Sequence, residues 1–309
     1  MAPLAGLTVV EFPAIGPVPF AGQQLRGLGA RVIRLVRPGG HDLGVHIPEE
    51  AHGLNDGKDP VAVDLKADPT TAHALVATAD VVLEGFRPGV MERLGFGPEV
   101  LCPRHPKLIY GRVSGWPRHG PRALEAGHDI TYLAATGVLA AIGPAERPVP
   151  PLNLIGDFGG AAMMLVRDVL AALVARSVTG QGAVVETSIY EATVALADPL
   201  ARLQAAGLWS TQREDNLLDG GAPFYRCYRA ACGTWLAVGA IERRFWQALL
   251  TVLDLTADVD ATDQHTRSTW PATIARLDAR FAEQPATHWL TLAAGTDACL
   301  ERVRVGMVR

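Results

Sequence analysis

Short aliphatic runs rich in β-branched residues alternate with helical stretches along the first two thirds of the chain, and no other feature constrains the fold as tightly. Leu7–Phe12, Arg31–Val36, Val61–Leu65, Asp80–Phe86, Leu108–Val113 and Ala183–Ser188 have the length and composition of strands buried on both faces. Phe20–Leu28, Pro69–Ala79, Val90–Leu94 and the long stretch Phe158–Ser177 read as helices between them. Strand, helix and strand within about thirty residues make a βαβ unit, and repeated units imply a mostly parallel sheet covered by helices. No GxGxxG follows the first strand, so a dinucleotide site is not indicated. The expected class is α/β, a Rossmann-like large domain with a smaller α+β domain.

The texture changes near residue 207. Leu208–Asp219 is polar and irregular, whereas Pro223–Ala230 and Thr234–Ala240 are strand-like runs around an Ala231-Cys232-Gly233 turn. Helices are expected over Glu242–Leu253, about Thr269–Ala282, and Ala286–Ala294. The division predicted is therefore 1–206 for the large domain, 207–221 for a linker, and 222–309 for the small one. Pro38–Pro60 is a Gly-, His- and Asp-rich connection long enough to hint at binding.

A hydrophobic content of 49% supplies a core, and a net charge of −4 with scattered cations gives no nucleic-acid surface. The four cysteines lack zinc-type spacing, so no metal is expected, and they read as reduced cytoplasmic thiols. No leader-like segment opens the sequence, and Arg167 and Asp168 interrupt the most apolar helix, which argues against a membrane span.

Two polar signatures stand where irregular chain becomes apolar helix: Gly127-His128-Asp129 and Gly156-Asp157-Phe158-Gly159-Gly160. Asp129 can cap a helix Ile130–Ala140, and Asp157 the helix from Phe158, because a carboxylate there accepts the free N–H groups of the first turn. Capping alone is enough to explain either aspartate. It does not explain His128, since an imidazole near neutral pH is the usual proton-transfer group. A histidine and an aspartate at two glycine-flanked helix starts make a candidate acid/base pair around an anion.

The runs YGRVSGW (110–116), AGHDITYLA (126–134), PVPPLNLIGDFGG (148–160), NLLDGGAPFY (216–225) and VGAIE (238–242) resemble the α-methylacyl-CoA racemases of the family III CoA-transferase (CaiB/BaiF) superfamily. The similarity extends upstream through ADVVLEGFRPGVMERLG (79–95) and runs from Leu4 to about Cys299. In the transferase branch the position of His128 is typically non-basic while that of Asp157 is shared, so the histidine favours a racemase. The resemblance implies inversion of a 2-methylacyl-CoA by two bases, His128 and Asp157, with Glu242 pairing with the imidazole. It places coenzyme A, a part of the substrate and the only cofactor-like group, near Arg37, Gly57, Lys58, Arg87, Gly127, Asp129 and Tyr132. Gly159 and Gly160 allow close backbone approach to the enolate. Asn153 and Tyr132 are supporting groups that packing explains equally well. An interlocked homodimer is also implied. The other histidines are expected to be solvated.

Two departures accompany the resemblance. Relatives commonly read GKRS where this chain has Gly57-Lys58-Asp59-Pro60, which places an acid beside the expected phosphate site. Relatives also run a few dozen residues past Arg309, which bears on closure of the large domain and on the dimer. Two readings compete with racemisation: acyl transfer with Asp157 as nucleophile, and a non-catalytic acyl-CoA-binding protein.

Overall fold

The computed structural model describes residues 2–39, 51 and 53–307. Most of the expected loop 38–60 and His41, His46 and His52 lie outside them.

The first unit is built on six parallel strands: β1 (Thr8–Glu11), β2 (Arg31–Val36), β3 (Asp59–Ala62), β4 (Val81–Glu84), β5 (Ile109–Ser114) and β6 (Ala183–Ser188). Their order is β3-β2-β1-β4-β5-β6, so the sheet grows one way from β1 and then the other from β4. The period-2 alternation of the strands separates two cores. Val9, Val32, Val81, Leu83, Ile109 and Val113 pack with Val18, Ala21 and Leu25 of α1 (Pro17–Gly27) on one face. Val10, Ile33, Leu35, Val82 and Tyr110 pack on the other with α2 (Pro69–Val76), α3 (Val90–Arg93) and α4 (Pro98–Arg104). A sheet covered on both faces explains why these strands read as continuous apolar runs. The α/β class and the mostly parallel sheet are thus as the sequence implied.

Several elements differ from the expectation. β3 lies at Asp59–Ala62 rather than Val61–Leu65, and α4 was not foreseen because Pro103 lies inside it. The helix beginning at 129, α5, stops at Thr136 because Gly137 adopts φ +83°, the left-handed region that ends helices. The long helix starts four residues early, as a π-helix over Leu154–Ala162, and continues as α6 (Met163–Thr179). The run Leu154–Thr179 is long and apolar enough to cross a membrane by length and composition. Here one stripe of it, Ala161, Ala162, Leu165, Val166 and Val169, belongs to the core beneath the sheet. That burial fits a core helix of an α/β unit.

The boundary between the units falls at Pro199, inside α7 (Ile189–Ala205), and residues 140–149 belong to the second unit with 200–309. This differs from the expected division at 206. Arg213 explains the reassignment: its guanidinium donates to the carbonyls of Ala140, Pro144 and Ala145 at 2.8–2.9 Å, and Glu214 accepts from the N–H of Ala145. The expected linker 207–221 is also structured. Buried Asn216 donates to the carbonyls of Ser210 and Gln212 and to Asp219, and accepts from the N–H of Ser210 at 2.6 Å.

The second unit pairs β7 (Tyr225–Arg229), β8 (Trp235–Gly239) and β9 (Leu300–Arg302) antiparallel. α8 (Arg243–Val252), α9 (Trp270–Phe281) and α10 (Ala286–Ala293) enclose Phe224, Tyr228, Trp246, Phe281 and Trp289 with it. The hairpin and three helices match the sequence reading; β9, three residues with an exposed outer face, was missed.

Candidate active site

In an open parallel sheet, neighbouring connections diverge where the strand order reverses, and a crevice opens at the carboxyl ends of the strands there. That point lies between β1 and β4. A cavity of about 470 Å³ occupies it, lined by Ile15, Gly16 and Pro17 after β1, Gly85–Pro88 after β4, and Ser114 and Gly115 at the end of β5. Gly127, His128 and Tyr132 of α5 and its approach, with Asn153 and Asp157 at the start of the π-helix, also line it, beside Glu125. The fold thus brings together His128, Asp157, Tyr132, Gly127, Asn153 and Arg87.

His128 is the N-cap of α5, in extended conformation. Its N–H donates to Thr131 Oγ1 at 3.0 Å, and Thr131 Oγ1 donates back to its carbonyl at 2.7 Å, which holds the backbone while leaving the imidazole exposed. Asp157 sits inside the π-helix and is not its cap. Asn153 Nδ2 approaches Asp157 Oδ2 at 3.5 Å, and Gly16 stands so close that an added Cβ would lie 3.0 Å from that oxygen. Gly16 also has φ +67°, so the turn after β1 needs glycine for both reasons. Burial and then the charge of Asp129 push the Asp157 carboxyl up to about 6, against the Asn153 hydrogen bond and the charge of His128. A carboxyl there exchanges its proton near neutral pH.

Neither aspartate caps its own helix, and one of them caps the other's. Asp129 does not cap its own helix: its Oδ1 accepts from the N–H of Asp157 at 2.8 Å, and the N–H of Gly156 bonds to the same carboxylate. One aspartate therefore caps the helix that carries the other. Gly159 and Gly160 are corrected too, because the helix begins at Leu154 and their N–H groups lie inside it rather than at its free end. Their lack of side chains serves the wider π turn. A Cβ would approach the carbonyl oxygens of Leu154 and Ile155, five residues back, at 2.9 and 2.8 Å.

Tyr132 is buried with its ring slotted between Gly115 and Gly127, where added Cβ atoms would lie 1.9 and 2.7 Å from its hydroxyl. Burial and the charge of Asp157 raise its phenol above the ordinary value. The wall at Gly85–Arg87 was legible only through Arg87. It is fixed by buried Glu84, whose Oε2 accepts from the N–H of Phe86 at 2.7 Å, and burial pushes that carboxyl up to about 7.

The expected coenzyme A cations fare unevenly. Arg87 faces the cavity and Arg37 is exposed just past β2. Lys58 is corrected: its side chain is fully buried, and its ammonium donates to Glu11 Oε2 at 2.7 Å, to the Pro19 carbonyl at 2.8 Å and to Asn55 Oδ1 at 3.3 Å. Its charge is spent inside the fold. Gly57, at φ +67°, is fixed by the Arg26 guanidinium packed against it. Asp59 is paired with Arg31 at 2.7 Å on an exposed strand, so its charge is directed away from Lys58. Among the other described histidines, His73 is half-buried and stacked on Phe96 at 4.2 Å, contrary to the solvated reading. Glu242 is in the second unit, exposed, as the N-cap of α8. Among the described residues no group of acids, histidines and cysteines could hold a metal.

A family model described as CoA-transferase family III matches residues 4–306 of the chain. The α-methylacyl-CoA racemases of mouse and human are 42% and 41% identical to it over 303 residues, covering 97% of this chain and 77% of each relative. The orthorhombic crystal structure of Rv3272 from Mycobacterium tuberculosis is similar with a TM-score of 0.80 at 30% identity, covering 99% of this chain and 83% of that one.

Proposed function

The chain belongs to CoA-transferase family III, and we propose on that premise that it is an isomerase that racemises 2-methylacyl-CoA thioesters. One observation carries the reading. A histidine and a carboxyl poised near neutrality reach the same cavity from two different helix starts.

Inversion needs one base to take the α-proton and an acid on the opposite face to return one. In the proposed cycle one of His128 and Asp157 removes the proton, and the C–H electron pair moves onto the thioester oxygen as an enolate. The other, already protonated, delivers its proton to the far face, and the enolate collapses back to the thioester. The centre is inverted, the two groups have exchanged protonation states, and no cofactor is consumed. The enolate oxygen must be stabilised by donors around the 470 Å³ crevice as its charge develops. Arg87 supplies a cation at its rim for the coenzyme A portion. We include in the proposal a role for Glu242 in orienting His128, an interlocked homodimer, and a cytoplasmic location. The first two rest on the sequence resemblance, and the last on the four free cysteines.

The competing reading is a CoA-transferase in which Asp157 attacks the acyl-CoA. Incubation of a single enantiomer of a 2-methylacyl-CoA in deuterated water separates the two. Deuterium at the α-carbon together with loss of optical purity is expected. Movement of coenzyme A to an added carboxylate, with no α-deuterium, would move the assignment to transfer.

A further inference from the structure

We propose that Asp129 is the positioning residue of the site: its carboxylate clamps the turn that carries Asp157, while its own backbone directly continues that of His128. The inference rests on the reading of Asp157 as a proton-handling group and adds what holds it there. Asp129 lies in the first turn of α5, and Asp157 in the first turn of the π-helix, 28 residues on. The contact between them is a two-pronged one, with the N–H groups of Gly156 and Asp157 both directed to one carboxylate. Gly156 is part of the device, since a Cβ there would sit 2.6 Å from Asp129 Oδ1 and 3.1 Å from Ile189 Cγ2.

The second oxygen points the same way. Asp129 is buried, and its Oδ2 has no hydrogen-bond partner among the described residues. A carboxylate capping a helix needs only one oxygen; the other leaves a poorly solvated negative charge beside Asp157. Like charge disfavours ionisation of a neighbour, which is the second-ranked cause of the raised Asp157 carboxyl after burial itself. The ionisable groups around Asp157 are Asp129 and Tyr132 on α5 and His128 at its N-cap, with Arg87 and Glu125 lining the same cavity. The packed helices α1 and α6 contribute no charge among them. Asp129 is thus the one neighbour that both fixes the position of Asp157 and opposes its ionisation.

Two substitutions separate these effects. D129N keeps an oxygen that accepts from the two N–H groups and removes the charge; D129A removes both. The first measurement is a carbon-13 titration of labelled aspartate carboxyls, with the Asp157 signal assigned by its loss in D157N. The parent signal is expected to titrate near 6 and that of D129N at lower pH. Alpha-deuterium incorporation into a 2-methylacyl-CoA should show the matching shift of its acid limb in D129N. In D129A the rate should fall by roughly 100-fold, as a displacement of about 1 Å of a reacting group can cost. An unshifted Asp157 signal in D129N, or a D129A protein that exchanges at the parental rate, overturns the proposal. So does a D129N protein that fails to fold, because the amide retains the acceptor. If the parent itself incorporates no deuterium, the racemase reading fails, while the titration still decides the role of Asp129.

Discussion

Lys58→Met tests whether the buried lysine is a structural charge rather than a ligand contact. Its side chain and that of Glu11 are essentially without exposure, and the ammonium joins the end of β1 to the first turn of α1 through Glu11 and the Pro19 carbonyl. Methionine fills similar volume but leaves the buried Glu11 carboxylate without its hydrogen-bonded ammonium, with the charge of Arg34 still acting on it. Removing one partner of a buried pair costs about 3–5 kcal/mol. For a unit of this size each kcal/mol lowers the melting temperature by about 2–4 °C, so a loss of roughly 6–20 °C is expected.

The penalty should also depend on pH, with a definite sign. Burial raises the Glu11 carboxyl above its ordinary value, and Lys58 and Arg34 oppose that rise. A group raised by folding contributes stability that is present at low pH and lost as pH rises through its folded value. Without Lys58 the carboxyl rises further, so the deficit of the variant should be greatest at pH 8 and should narrow toward pH 5. Adding Glu11→Gln to Lys58→Met should recover part of the loss, because the remaining partner is then neutral. Thermal unfolding followed by circular dichroism at the two pH values measures all of this. A variant within about 1 kcal/mol of the parent at pH 8, or a deficit that widens as pH falls, would refute the reasoning.

The remaining expectations concern the cavity. His128→Ala and Asp157→Ala should each lose racemisation by roughly 10²–10⁴-fold while retaining deuterium wash-in from opposite enantiomers; equal loss from both enantiomers would rule out two bases. In His128→Ala, wash-in served by Asp157 acting as base should fall as pH drops, and at a higher pH than the parental value of about 6, because the His128 charge that lowers the carboxyl is gone; a flat profile there counts against it. Gly156→Ala should destabilise by about 1–3 kcal/mol, since its Cβ would displace the Asp129 carboxylate, and parental melting and exchange together would contradict the clamp. Gly115→Ala should raise KM for the acyl-CoA, because the Tyr132 hydroxyl and ring occupy the space of the new methyl; an unchanged KM would mean that Tyr132 does not shape the cavity.

The layout of the sheet was legible because burial on both faces leaves a local mark, a continuous aliphatic run such as the VVL of β4. The same cause explains what was missed. β9 has three residues, too few for a period, and its place is set by pairing with β8 some sixty residues earlier. The helix at Pro98–Arg104 carries a proline that local propensity reads as a break. Residues 140–149 look like a continuation of the first unit, and the fork of Arg213 with the neighbouring Glu214, about seventy residues on, draws them into the second.

At the candidate site the identities of His128 and Asp157 could be read, but their supports could not. Capping rules are local: they assign each helix the nearest acid upstream. Here the acid of one helix start serves the other, and that contact depends on the two starts meeting beside the ends of the parallel strands. Lys58 shows the same limit from the opposite side. Beside glycine in a long polar connection it reads as a cation offered to phosphate, but Glu11, 47 residues earlier, takes its charge. A buried ammonium needs a partner more than a ligand needs that ammonium, since an unpaired charge in the interior costs several kcal/mol. Of the cations that the resemblance assigns to coenzyme A, the fold leaves Arg37 and Arg87 exposed, one after β2 and the other after β4. They bracket β1 in the sheet order, on the two sides of the point where the connections diverge.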